Sequence, residues 1–259
     1  MEISIVGAIL GDIAGSQFEF DRCEDPDKSE LFTEQCDFTD DTVMSLAVKY
    51  AIDNKIPFAD AMRSIGQQYQ FCGYGGKFYS WIFSQNPRPY SSFGNGSAMR
   101  VSFVADYYED LKDVQKAARE TALPTHNHLE GIKGAVVTAT CIWMAKNGNS
   151  KQEIYDYVLS EYPADKYEYS ICKSIEDLIP VYKWNETCQG SVPVAMRCFY
   201  ESDSYESFLR NVFRLDCDTD TVAAIGGSVA EEFYKGTGFD NEKILNEYLD
   251  ENLLGILNA

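Results

Sequence analysis

Apolar positions recur three and four residues apart along most of the chain, the spacing of one face of an α-helix. Between Asp41 and Asn54, the residues Val43, Leu46, Ala47, Tyr50 and Ala51 form such a face. From Gly131 to Lys146 it is repeated by Ile132, Ala135, Val136, Ala139 and Trp143. From Thr221 to Tyr234 it is repeated by Val222, Ile225, Gly226, Val229, Ala230 and Phe233. The opening stretch from Ile3 to Ala14, with Ile3, Val6, Leu10 and Ala14 in register, predicts a further helix. Gly7, Gly11 and Gly15 give that helix a slim face suited to tight packing against a neighbour. Alternating period-two runs are scarce, and Ile56–Phe58 is too short for a strand. The stretch from Lys151 to Glu206 reads as helical, polar and chemically quiet. With no linker, low-complexity tract or repeat, the pattern predicts an all-α fold, one domain over residues 1–259.

Composition narrows the class. The chain has 259 residues, 45% hydrophobic and 24% charged, the balance of a globular protein. With 22 Lys and Arg against 41 Asp and Glu, its net charge is −19. That argues against general nucleic-acid binding, which depends on cationic neutralisation of phosphates. No apolar run approaches bilayer length, so no membrane partner is expected. Met1-Glu2-Ile3-Ser4 lacks a basic region, so no signal peptide is read. The eight cysteines contain no C-x-x-C pair, which favours reduced structural thiols in a cytoplasmic protein over zinc or disulfides.

Two acidic clusters stand immediately before predicted helices: Thr39-Asp40-Asp41-Thr42 and Asp218-Thr219-Asp220-Thr221. Helix capping is the ordinary explanation for either. A cap, however, uses one or two short acceptors, and each cluster offers two carboxylates and two hydroxyls. At a helix start these groups converge beyond the helix end. Two such ends facing each other pool four carboxylates, which repel unless a cation sits among them. Oxygen ligands without a histidine or cysteine cluster favour Mg²⁺ or Mn²⁺ over zinc, and four carboxylates suffice for two ions.

Five segments, in order, resemble the ADP-ribosylglycohydrolase family, of the type that includes dinitrogenase reductase-activating glycohydrolase. They are Gly7-Ala8-Ile9-Leu10-Gly11-Asp12-Ile13-Ala14-Gly15, Phe38-Thr39-Asp40-Asp41-Thr42, Gly94-Asn95-Gly96-Ser97-Ala98-Met99-Arg100, Thr125-His126, and Asp218-Thr219-Asp220-Thr221 with Ala223-Ala224-Ile225-Gly226-Gly227. The resemblance spans roughly Ile5 to Gly236. It implies an all-α orthogonal bundle with a binuclear Mg²⁺ or Mn²⁺ centre, and hydrolysis of the bond joining ADP-ribose to a protein side chain or a related ADP-ribosyl group. It implies Thr39, Asp40, Asp41, Asp218, Asp220 and Thr221 as metal ligands, with Asp220 bridging the ions. Glu19 matches an acidic residue beside the metals, and Glu19, Asp40 and Asp41 are the candidate catalytic carboxylates, the base among them left open.

The diphosphate of such a substrate needs a donor site in an acidic protein. Backbone N–H groups of Gly94, Asn95, Gly96 and Ser97 offer an anion nest, although a plain turn also explains the glycines. Phe93 or Tyr90 is expected to stack on adenine. Met99 and Arg100 are read as packing and anchoring the loop. The resemblance implies a contact from His126 to the phosphates or proximal ribose and none from His128. Cys217 stands where many members have Gly, which narrows the expected site, and Val222 where Asn is frequent. The competing readings are a non-catalytic ADP-ribose binder keeping the fold, and a metal-dependent phosphoester hydrolase, for which histidine ligands are expected.

Overall fold

The computed structural model describes residues 4–259. Its first helix, α1 (Ser4–Ser16), matches the expected opening helix, although Ile3 lies outside the described residues. Ile5, Ile9, Leu10 and Ile13 are wholly buried. The slim face packs backbone to backbone on helix α13 (Thr219–Tyr234). A Cβ at Gly7 would lie 2.5 Å from the Gly227 carbonyl, at Gly11 2.4 Å from that of Ala223, and at Gly15 2.6 Å from Asp220 Cα. Any side chain there would drive the helices apart. The glycines therefore fix the end of α1 beside the start of α13.

Between them lie α2 (Asp40–Asn54), α3 (Phe58–Gly66), α4 (Gly76–Phe83), α5 (Gly96–Met99), α6 (Ser102–Tyr107) and α7 (Leu111–Ala122). They are followed by α8 (Leu129–Lys146), α9 (Lys151–Glu161), α10 (Ile175–Leu178), α11 (Cys188–Tyr200) and α12 (Tyr205–Phe213). The chain closes with α14 (Asn241–Tyr248) and α15 (Glu251–Leu257). The described residues contain no strand, only one isolated bridge between Gly94 and Thr187. The fold is all-α. Helix α13 is the central element, contacted by α1, α8, α11 and α12, and every residue from Thr219 to Glu231 is buried. Central burial explains why its sequence is small and apolar all round.

One expectation fails. The segment from Lys151 to Glu206 is neither continuously helical nor polar. Residues 162–187 are mostly irregular, with α10 a single turn, and α11 is buried along most of its length. Tyr162, Tyr169 and Tyr182 are core side chains, so the tyrosines that made the segment look polar serve as large apolar bodies. Nor is the segment chemically quiet, since residues 184–188 border the site described next.

Candidate active site

The starts of α2 and α13 meet. Thr221 Oγ1 donates to Asp41 Oδ2 at 3.1 Å, joining the two acidic clusters directly. The two ends use their side chains differently. Thr39 is a true cap of α2, its hydroxyl accepting the Asp41 N–H at 3.2 Å. Asp218 stands at the corresponding position of α13 and makes no cap; its carboxylate accepts from Asn95 Nδ2 at 2.7 Å. Capping thus accounts for Thr39 and leaves the carboxylates unexplained. Thr42 and Thr219 serve structure, Thr42 donating to Asp12 and Thr219 to the carbonyls of Phe18 and Cys217.

Asp12 is wholly buried on α1 and received no role from the sequence beyond its place in a motif. It accepts the Thr39 N–H at 2.9 Å, the Thr39 hydroxyl at 2.7 Å, the Thr42 N–H at 3.0 Å and the Thr42 hydroxyl. One carboxylate so oriented fixes the direction in which Asp40 and Asp41 point. Carboxylate oxygens of Asp12, Asp41 and Asp220 lie within 4.8 Å of one another, as do those of Glu19, Asp218 and Asp220. Asp220 belongs to both groups.

Burial first, and then the charges of Asp220 and Asp12, push Asp40 and Asp41 well above the ordinary carboxylate range. Asp220 is pushed the same way by burial and by Asp218 and Asp12. Burial lifts Asp12 and Asp218 from 3.8 to about 6, against their hydrogen bonds. Glu19, in the turn after α1, rises from 4.5 to about 8 through burial and then Asp220, Asp12 and Glu186. Asp41 Oδ1 is buried with no hydrogen-bond partner. An unpaired buried carboxylate oxygen among five other carboxyl groups fits a bound divalent cation, because hard oxygen donors and excess negative charge are what Mg²⁺ and Mn²⁺ require.

A cavity of about 310 Å³ opens above these groups. Glu19, Asp40, Asp41, Asp218, Asp220 and Thr221 line it, while Thr39 lies behind them with its hydroxyl committed to Asp12. Gly94, Asn95, Gly96, His126 and Tyr90 line it as well, Asn95 beside Asp218. Other expected residues fall elsewhere. Phe93 is 44% exposed and packs its ring 5.2 Å from that of His128, away from the cavity. Ser97 is buried with its hydroxyl on the Gly131 carbonyl at 2.7 Å, so its side chain is unavailable to a ligand. The Gly94 N–H already donates to Ser92 Oγ and the Asn95 N–H to the Glu186 carbonyl, so an anion nest here rests on Gly96 and Ser97 alone. Cys217 is buried with its thiol toward the Val212 carbonyl and Val222 is fully buried; neither lines the cavity, so the expected narrowing at 217 does not occur.

Several lining residues escaped sequence reasoning. Met99 and Arg100 both reach the cavity, although Arg100 also anchors the fold as expected. Gly73, Gly75, Gly76 and exposed Lys77 form one wall, Gly73 with φ +101° beside Asp40. For these glycines the sequence does carry the signal: Cys72-Gly73-Tyr74-Gly75-Gly76 is glycine-dense, the kind of irregular backbone that often approaches a ligand closely. Trp184 and Glu186 form the rim, joined by a Trp184 Nε1 to Glu186 Oε1 bond of 3.2 Å. Exposed Phe20 stacks on Trp184 at 5.7 Å. Nothing local in the sequence marks that pairing.

A family model described as ADP-ribosylglycohydrolase matches residues 3–230. ADP-ribosylhydrolase ARH3 of Homo sapiens is 28% identical over 305 residues, covering 89% of this chain and 84% of the relative. ADP-ribosylhydrolase ARH3 of Xenopus tropicalis is 26% identical over 300 residues, covering 89% and 86%. A solved structure titled ADP-ribosylglycohydrolase-related protein complex superposes with TM-score 0.74 at 20% identity, covering 98% of this chain and 93% of that one. At that identity the likeness speaks to the fold, and the fold is the same helical one.

Proposed function

The chain belongs to the ADP-ribosylglycohydrolase family, and from that premise we propose that it hydrolyses the glycosidic bond between ADP-ribose and a modified side chain. The observation that carries this reading is the pooling of Asp40, Asp41, Asp218 and Asp220 from two helix starts on the floor of one cavity. Thr39, Asp40, Asp41, Asp218, Asp220 and Thr221 would hold two divalent cations, with Glu19 beside them; in support, Asp220 belongs to both carboxylate groups. When bound, Mg²⁺ or Mn²⁺ supplies neutralising charge and Lewis acidity toward the ribose hydroxyls.

The chain's own groups do the rest. Glycosidic cleavage passes through an oxocarbenium-like transition state, which nearby carboxylates stabilise. Asp40 and Asp41 supply that negative potential. Glu19 is half-buried at the edge of the cluster and lines the cavity, a position from which its carboxylate would take a proton from water and return it to the leaving group. Lys77, the Gly96 N–H and His126, which line the cavity, would receive the diphosphate, and Tyr90 the adenine. At the rim, Trp184 with Glu186 and Phe20 offers an aromatic face and a carboxylate, which suit a guanidinium. ADP-ribosyl-arginine, as in the dinitrogenase reductase-activating type, is therefore the linkage we assign first, with related N- and O-linkages behind it. One continuous apolar core from Ile5 to Leu257 supports a single domain, and eight free cysteines support the cytoplasmic setting. No helix among the described residues is long and apolar enough to cross a membrane.

The test is release of free ADP-ribose from an arginine-ADP-ribosylated protein with Mg²⁺ or Mn²⁺, repeated in EDTA. The expected result is release that requires the cation. Binding of ADP-ribose without release from any linkage would favour the non-catalytic reading instead.

A further inference from the structure

His126 stands at the end of a buried polar chain. Arg100, which follows α5, is 1% exposed and lines the cavity, and it makes no ion pair among the described residues. Its Nη2 donates to the Thr121 carbonyl and to Thr125 Oγ1, each at 3.0 Å. Thr125 is itself fully buried, and its Oγ1 lies 2.7 Å from His126 Nδ1. The other ring nitrogen, Nε2, faces the glycine rim: a Cβ at Gly96 would lie 3.4 Å from it and one at Gly94 3.6 Å.

Counting donors decides the tautomer. Arg100 can only donate, so Thr125 Oγ1 accepts from it and has one hydroxyl proton to place. Among the described residues, the acceptor within reach of that proton is His126 Nδ1. With the ring proton on Nδ1 instead, the hydroxyl would receive two donors and leave its own proton buried without an acceptor. Burial, and then the Arg100 charge, hold His126 well below the ordinary histidine range, so the ring is neutral.

We propose that Arg100 and Thr125 are positioning residues that lock His126 as the Nε2–H tautomer, a fixed donor to an oxygen of the substrate diphosphate. A ring so held cannot accept a proton from the cavity, so His126 acts there only as a donor. The tautomer follows from the chain's own groups; the identity of the acceptor rests on the ADP-ribose reading above.

Histidine-selective ¹⁵N labelling of the full chain, read by long-range ¹H–¹⁵N correlation, tests this with only two histidines to assign. His128→Asn identifies the His126 signals. The expected pattern is a pyridine-like Nδ1 and a protonated Nε2. Thr125→Val should give mixed tautomers and weaken ADP-ribose binding about tenfold, and Thr125→Ser should restore both. Arg100→Met should produce the same mixture as Thr125→Val. An Nδ1–H pattern in the wild-type chain, or an unchanged pattern in Thr125→Val, would overturn the proposal. An Nε2–H pattern in a chain that binds no ADP-ribose would uphold the positioning and overturn the substrate reading.

Discussion

Four donors from the first turn of α2 converge on Asp12, so this one side chain aims two others. Asp12→Ala leaves two N–H groups and two hydroxyls without their acceptor in a buried place. We expect a loss of about 3 kcal/mol or more, given about 1–3 for each orphaned group and partial relaxation. Urea unfolding measures it, and a loss under about 1 kcal/mol would contradict the role. Asp220→Asn is the complementary change: it should abolish cation-dependent turnover while the helical circular dichroism stays native, because it keeps the shape and removes a shared charge. Full activity in that variant would end the two-cation account. Asp220 was legible because two carboxylates at a helix start exceed what capping uses. Asp12 was not, because its partners lie 27 and 30 residues along the chain and its immediate neighbours are those of an ordinary helix. Glu186 was hidden for the same reason, brought to the rim by folding alone, whereas Lys77 directly follows the glycine-dense run at 72–76.

At the scale of elements, the contact between α1 and α13 determines whether the acidic ends face each other. A side chain at Gly15 would meet Asp220 Cα at 2.6 Å and the Thr219 carbonyl at 2.7 Å, both backbone atoms that cannot swing aside. Gly15→Val should cost about 2 kcal/mol or more from overpacking and lower turnover further by displacing Asp220. Gly255, inside α15, has nothing within 4 Å of its notional Cβ. Gly255→Ala should be neutral or stabilise by up to about 1 kcal/mol. Equal effects at the two sites would show that helix propensity, not close approach, governs both. Periodicity made α1, α2, α8 and α13 readable, and the glycine spacing foretold the slim face. It misjudged α11 and the tyrosine-rich stretch before it, where tyrosines are buried and one of them, Tyr182, bonds through its hydroxyl to the Gly190 carbonyl at 3.1 Å. Hydropathy pattern cannot separate a tyrosine with a buried partner from one in water.

For the whole molecule, buried carboxyl groups make folding depend on pH. A carboxyl whose pKa is higher folded than unfolded binds more protons when folded. Its contribution to stability is complete below the unfolded value and is lost as pH rises through the folded one. Asp12 and Asp218, moved from 3.8 to about 6, place that loss between pH 4 and 6, and Glu19, moved from 4.5 to about 8, extends it upward. Taken singly, each of the two aspartates accounts for roughly 3 kcal/mol by neutral pH. In EDTA the Tm should therefore fall as pH rises from 5 to 8, and Mn²⁺ should raise it more at pH 8 than at pH 5. A scan by differential scanning fluorimetry decides this; a Tm that climbs with pH in EDTA would contradict it.

The convergence of two helix starts into one two-cation centre is tested most directly by counting ions. Mn²⁺ titration of the EDTA-stripped chain, followed by calorimetry and by electron paramagnetic resonance, should show two ions per chain in spin-coupled proximity. In Asp220→Asn the second ion and the coupling should both disappear. A wild-type chain that binds no Mn²⁺, or a stoichiometry that Asp220→Asn leaves unchanged, would contradict the account.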